Sequence, residues 1–113
     1  MKCLATVKNT KQLNQDTFLL CIESEKIASI AKAGQFVNVK CSDGLDAYLR
    51  RPISIHSVNR ECNTFDIVFQ NRGKGTNLLS NFGPGDEIDI IGPLGRGFTL
   101  NHDHKHIVIA GGG

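Results

Sequence analysis

A chain of 113 residues, 40% hydrophobic and 21% charged, is long enough for one hydrophobic core and too short for several. Its formal net charge of +2 gives no bulk attraction for nucleic acid, although basic residues can still cluster locally. The longest apolar runs are only a few residues, which excludes a membrane-spanning helix, and the first residues do not read as a signal peptide.

In chain order, period-two alternation comes first. Leu4–Val7 and Phe18–Ile22 read as strands, the second opening at Thr17. Glu25–Gly34 (EKIASIAKAG) instead places Ile27, Ile30 and Ala31 at helical spacing, with Gly34 as its stop. Strands follow at Gly34–Cys41, Arg51–Val58 and Thr64–Asn71, rich in β-branched and aromatic residues. In GTNLLSNFGPGD, Thr76 is the candidate N-cap of a single helical turn carrying Leu78 and Leu79. Asp86–Gly92 alternates Ile88 and Ile90 against Glu87 and Asp89. Turn chemistry bounds these runs at SDGLD, NREC, FGPGD and GPLGRG. About five or six strands, spaced roughly 10 to 15 residues apart, predict a small antiparallel barrel or sandwich with one or two short helices.

The last stretch, HKHIVIAGGG, reads as a buried-type strand from His106 to Ala110 running into Gly111–Gly113. A strand followed by glycines is how a nucleotide-binding βα unit opens, because small residues let phosphate approach a helix N-terminus. The expectation is a larger protein. Residues 1–99 would be a barrel domain, and 100–113 a linker and the first strand of a second domain.

Four cysteines, Cys3, Cys21, Cys41 and Cys62, are spread widely and nearly evenly, which matches no CxxC metal knuckle. Three lie in apolar-alternating segments, where a reduced cysteine acts as a small hydrophobe. Buried thiols are therefore expected rather than disulfides or metal ligands, as suits a cytoplasmic protein.

Few residues carry ordinary catalytic chemistry. No nucleophile elbow is present. His102, His104 and His106 alternate and could share one strand face as metal ligands, but such a run is more often a solvated linker. Asp86, Glu87 and Asp89 read as a solvated turn and strand face. Two elements stand out. Pro52 holds Arg51 to extended backbone and so gives its guanidinium a defined direction, and the forked donors of a guanidinium match phosphate. In NRGKGTNLL, Gly73 and Gly75 permit close backbone approach, while Thr76 and Asn77 offer N–H groups at a helix start. Together they read as two halves of a diphosphate site.

Taken in order, RRPISI, GKGTNLL, GPGDEIDIIGPLGRGF and HIVIAGGG resemble the flavin-binding domain of the ferredoxin–NADP reductase superfamily, over essentially the whole chain. Within it, the pattern is most similar to the electron-transfer subunits of B-class dihydroorotate dehydrogenases. The resemblance implies an all-β fold, a six-stranded antiparallel Greek-key barrel holding FAD at its mouth ahead of an NAD-binding domain. It assigns Arg51 to the FAD pyrophosphate and Ser54 to the isoalloxazine edge near N5. Gly75 and Thr76 become the turn whose amides grip the phosphates, and Val68, Phe69 and Gln70 the strand lining the cofactor. Pro52 completes the motif. Ile53 stands where the superfamily usually carries a tyrosine, so it offers apolar contact without an aromatic stack, and this departure narrows the resemblance to the dihydroorotate dehydrogenase subunits.

Strand parity adds a constraint. Arg51 and Ser54 point to opposite faces of a regular strand, so one cofactor reaches both only across the strand's edge or where the chain bends near Pro52. Arg50 is left as a solvated cation or a partner contact.

The resemblance also implies a wider reaction. Electrons would pass from dihydroorotate through a catalytic subunit's flavin and a [2Fe–2S] centre to this FAD and on to NAD+, in a heterotetramer serving pyrimidine biosynthesis. No residue here would act as a catalytic acid or base, since the protein positions and tunes the flavin. In the family, the NAD-binding domain and the cysteine cluster for [2Fe–2S] follow the barrel, and none of the four cysteines has that cluster's spacing. This chain alone would hold FAD without completing the reaction. The alternatives are a related reductase subunit serving a hydrogenase, sulfide dehydrogenase or ferredoxin, a nucleic-acid-binding barrel using Arg50, Arg51, Arg60, Arg72 and Lys74, or a purely structural module.

Overall fold

A computed structural model describes residues 2–42 and 50–112. Six strands form: β1 (Lys2–Gln12), β2 (Thr17–Glu23), β3 (Phe36–Lys40), β4 (Arg50–Asn59), β5 (Thr64–Gln70) and β6 (Glu87–Leu94). Helix α1 (Glu25–Ile30) links β2 to β3, and α2 (Lys74–Leu79) links β5 to β6. All pairings are antiparallel, and the order β1-β2-β5-β4-β3-β6 closes on itself. The steps from β2 to β5 and from β3 to β6 skip neighbours in sequence, as Greek-key connections do. The fold is the six-stranded barrel that the motifs imply.

Alternation explains why the barrel closes. Val7, Leu20, Ile22, Val37, Val39, Phe65, Ile67, Ile88 and Ile90 occupy the inward parity of their strands and are buried. At ~25 cal/mol per Å2 of apolar surface, each such side chain contributes roughly 1.5–3 kcal/mol. Ile27 and Leu79, one from each helix, join this same core and cap the barrel.

Both helices differ in detail from expectation. Helix α1 is capped by Ser24, whose Oγ accepts from the Ile27 amide at 3.3 Å. It ends at Ile30, and Gly34 stops nothing. Gly34 has φ +97° in a turn closed by Gln35 N–H to Lys32 O, where only glycine is unstrained. Helix α2 begins earlier than expected, with Gly73 as N-cap and Thr76 in its first turn.

One further expectation is corrected. Of the cysteines only Cys41 is buried. Cys3 and Cys21 are half-buried, Cys21 because inward parity falls on Leu20 and Ile22, and Cys62 is exposed in the β4–β5 turn. Residues 106–110 form no strand, and Val108 and Ile109 are 94% and 88% exposed. A buried-type strand needs a neighbouring ladder, and a closed barrel has no free edge to supply one. The turn expected at SDGLD lies outside the described residues from Asp43 onward.

Candidate functional site

The wall of the barrel is open along one seam. Residues Arg50 to Ser54 of β4 pair with Lys40 to Phe36 of β3 in unbroken register. On the other side, β4 meets β5 only from Ile55 onward, after which a register shift falls between Ile55 and Ser57. Val68, Phe69 and Gln70 of β5 are paired with Leu19, Phe18 and Thr17 of β2. No ladder therefore joins 50–54 to 68–70, and the backbone N–H and C=O groups there make no β4–β5 ladder bonds. Such groups demand partners.

The seam gathers the residues singled out by sequence. Arg51, Pro52, Ile53 and Ser54 form one flank, and Val68, Phe69 and Gln70 the other. Their side chains divide by parity. Pro52, Ser54 and Gln70 are exposed, whereas Ile53 and Phe69 turn inward with 7% and 6% exposure. The Phe69 ring stacks on Phe18 with centroids 6.0 Å apart. Phe69 and Ile53 thus place their side chains in the core rather than on the surface. The unbroken register excludes a bulge near Pro52. A ligand reaching both Arg51 and Ser54 must lie along the open edge between β4 and β5.

At the α2 end of the seam, Arg51 meets Gly75. A Cβ placed on Gly75 would lie 3.0 Å from Arg51 Nε, 3.1 Å from Cγ and 3.3 Å from Cζ. Only glycine lets the guanidinium lie this close to the helix. Arg51 Nη1 also donates to the Arg50 carbonyl at 2.9 Å, which fixes the fork's orientation. Thr76 is no N-cap, but its Oγ1 accepts from Arg72 N–H at 2.9 Å and Gly73 N–H at 3.0 Å, shaping the start of α2. The first helical bond runs from Asn77 N–H to Gly73 O. The amides of Lys74, Gly75 and Thr76 consequently have no partner within the helix. A guanidinium beside a row of such amides suits a diphosphate. The donor set at one end and the open backbone edges along the seam, suited to a flat heterocycle, fit FAD.

Arg50 and Arg51 are not equivalent. Rather than a solvated cation, Arg50 is 18% exposed and reaches across β3 to Asp89 of β6, with Nη2 2.8 Å from Oδ1. Lys2 Nζ approaches the same carboxylate at 3.7 Å. Sequence reasoning missed Asp89, because no local signal ties residue 89 to residue 50. Arg60 is likewise engaged, donating to Ala31 O at 2.7 Å.

Cys41 lies close enough to feel both guanidiniums. Burial pushes its thiol above the ordinary value of 9.0, partly offset by Arg51 and Arg50. The Cys21 thiol is also raised, by burial and then by its hydrogen bond to Asp66. The histidine run 102–106 gathers no metal set: among the described residues no three metal-ligating side chains come together. No helix among them is long and apolar enough to cross a membrane.

Residues 4–99 match the oxidoreductase FAD-binding domain family. The electron-transfer subunit of dihydroorotate dehydrogenase B (NAD(+)) from Desulforamulus reducens is 44% identical over 98 residues, which are 87% of this chain and 37% of that protein. Its counterpart from Fusobacterium nucleatum is 36% identical over 95% of this chain and 42% of its own length. The chain thus spans about two fifths of the curated relatives it matches. Among solved structures, an NADH-dependent reduced ferredoxin–NADP oxidoreductase studied for flavin-based electron bifurcation superposes with TM-score 0.78 at 28% identity, over 86% of this chain and 34% of that one. The ferredoxin–NADP+ reductase of Plasmodium falciparum shares the fold, with TM-score 0.72 and 16% identity over 90% of this chain and 41% of that one. With a barrel open along one seam, an arginine laid on a glycine at its end, and a family match over almost its whole length, this chain belongs to the oxidoreductase FAD-binding domain family.

Proposed function

We propose that this chain is the FAD-holding barrel of an electron-transfer subunit of NAD-linked dihydroorotate dehydrogenase. The observation that carries the structural half is the contact between Arg51 and Gly75 at the end of the β4–β5 seam. The likeness to dihydroorotate dehydrogenase subunits, 44% and 36% identical, carries the rest. In this reading Arg51 neutralises the pyrophosphate, and the first-turn amides at Gly75 and Thr76 bind its oxygens. The open backbone of Val68, Phe69 and Gln70 takes the polar edge of the ring, with Pro52 and Ile53 supplying apolar contact. Ser54 donates at the edge where hydride arrives. FAD, when bound, supplies the exchange between one-electron carriers and the two-electron nicotinamide. The protein's part is to orient the ring, hold the charge of the diphosphate and leave one edge accessible.

The whole subunit would continue past the barrel. Residues 100–113 would become a linker and the first strand of an NAD-binding domain, where the apolar Ile107–Ile109 gain the sheet they lack here. A [2Fe–2S] centre would belong to that further part, and a catalytic dihydroorotate dehydrogenase subunit would complete a cytoplasmic heterotetramer. The test is reconstitution: the full-length subunit, mixed with a catalytic dihydroorotate dehydrogenase subunit, should reduce NAD+ when given dihydroorotate. A full-length subunit that carries FAD but oxidises only reduced ferredoxin would replace this reading with that of a ferredoxin-linked reductase, favoured by the 28% identical solved structure.

A further inference from the structure

We infer that Arg50 and Asp89 are positioning residues for the diphosphate-binding arginine, an inference that rests on the FAD-site reading of Arg51. The open seam creates the need for them. β4 forms no ladder with β5 before Ile55, so along Arg50 to Ser54 its strand pairing is with β3. Arg50 is the first residue of β4 and carries the carbonyl that accepts from Arg51 Nη1 at 2.9 Å. Moving that carbonyl disturbs one of the contacts that orient the guanidinium beside Gly75.

The Arg50 side chain adds a second tie on the β3 side. It crosses β3, where Nη1 lies 3.5 Å from the Asn38 carbonyl, and ends on Asp89 Oδ1 of β6 at 2.8 Å. Three strands are thereby strapped at the level of the site. The pair is shielded, with Arg50 18% and Asp89 22% exposed, so solvent and salt weaken it less than a surface pair. Lys2 adds a more distant charge on Oδ2 at 3.7 Å but is itself 67% exposed. Asp89 meets the seam through Arg50. Its influence runs through Arg50 to a backbone carbonyl and from there to Arg51.

A double-mutant cycle tests this. FAD and riboflavin affinities are measured by flavin fluorescence for the wild type, Asp89→Asn, Arg51→Ala and the combined variant. Riboflavin lacks the diphosphate, so it reports general damage to the seam but not the orientation of Arg51. Asp89→Asn should weaken FAD about tenfold, in the range of coupling within one hydrogen-bond network. Riboflavin binding should stay at the wild-type level, and in the Arg51→Ala background Asp89→Asn should cost nothing further. Equal losses for both flavins, or the same loss with and without Arg51, would overturn the inference and leave a structural ion pair only. Should Asp89→Asn not fold, the exchanged pair Arg50→Glu with Asp89→Lys rebuilds the strap with reversed sign. It should hold FAD within about twofold of wild type. An exchanged pair that folds yet binds FAD as poorly as Arg51→Ala overturns the proposal. Wild-type FAD affinity in Arg51→Ala would remove the underlying reading itself. Loss of FAD in Arg51→Ala beside full affinity in Asp89→Asn would remove only the positioning role.

Discussion

Replacing Gly75 by alanine sets local stability against binding. Gly75 lies in the first turn of α2 with a backbone that any residue adopts, since its φ is outside the positive range. By helix propensity alone, alanine should stabilise the fold by about 0.5–1 kcal/mol. The added methyl would sit 3.0 Å from Arg51 Nε and 3.1 Å from Cγ, tighter than ordinary carbon contacts, so the guanidinium must shift by a few tenths of an ångström. Arg51 Nη1 donates to the Arg50 carbonyl, and if the guanidinium holds a diphosphate as proposed, that shift falls on the diphosphate contacts. A charge-assisted hydrogen bond is worth about 1.5–3 kcal/mol, and losing roughly half of one weakens FAD about four- to twelvefold. The assay is paired: thermal unfolding of the FAD-free protein, and flavin fluorescence titration of the same samples. An unchanged or raised Tm together with weaker FAD is expected. Wild-type affinity in Gly75→Ala would refute the view that the glycine exists to admit the arginine.

Thr76→Val removes the acceptor for the Arg72 and Gly73 amides. It should lower stability by about 1–2 kcal/mol in chemical denaturation and weaken FAD as the start of α2 loosens. Ile27→Ala empties a fully buried site beneath α1 and should cost about 2–5 kcal/mol in the same measurement. Thiol alkylation should label exposed Cys62 first, while Cys21 and Cys41 react only at more alkaline pH or on unfolding. Their raised folded-state values also set the sign of a pH effect. The neutral thiols favour the fold fully below the unfolded value near 9.0, and that contribution is lost as pH rises through the folded values. Stability should therefore decline above about pH 9, and less steeply in Cys41→Ala.

What the sequence discloses follows from the range of each interaction. Alternation at Leu20 and Ile22, or at Ile88 and Ile90, is local, and it marks the strands and their inward faces. Motif order carries the identity of the site, because Arg51 and Gly75 sit far apart in the chain and only the fold lays one on the other. Parity raises the problem of Arg51 and Ser54, but the solution lies in β4 and β5 parting before Ile55, a matter of register between strands. The role of Arg50 is hidden for the same reason: its partner, Asp89, is on a strand two places round the barrel. The helix ends go astray because several residues compete as caps. Ser24 outdoes any signal inside EKIASIAKAG, and Thr76 serves α2 from its first turn rather than from the cap.

The central claim is that Arg51, laid on Gly75 at the end of the seam, holds the FAD diphosphate while its neighbour Arg50 does not touch it. FAD titration of Arg51→Ala and Arg50→Ala, with riboflavin as the reference ligand, tests this most directly. Arg51→Ala should weaken FAD by about 10- to 100-fold, the worth of one to two charge-assisted hydrogen bonds, and leave riboflavin unchanged. Arg50→Ala acts only through position and should weaken FAD markedly less. Equal losses from the two substitutions, or wild-type FAD affinity in Arg51→Ala, would contradict the claim.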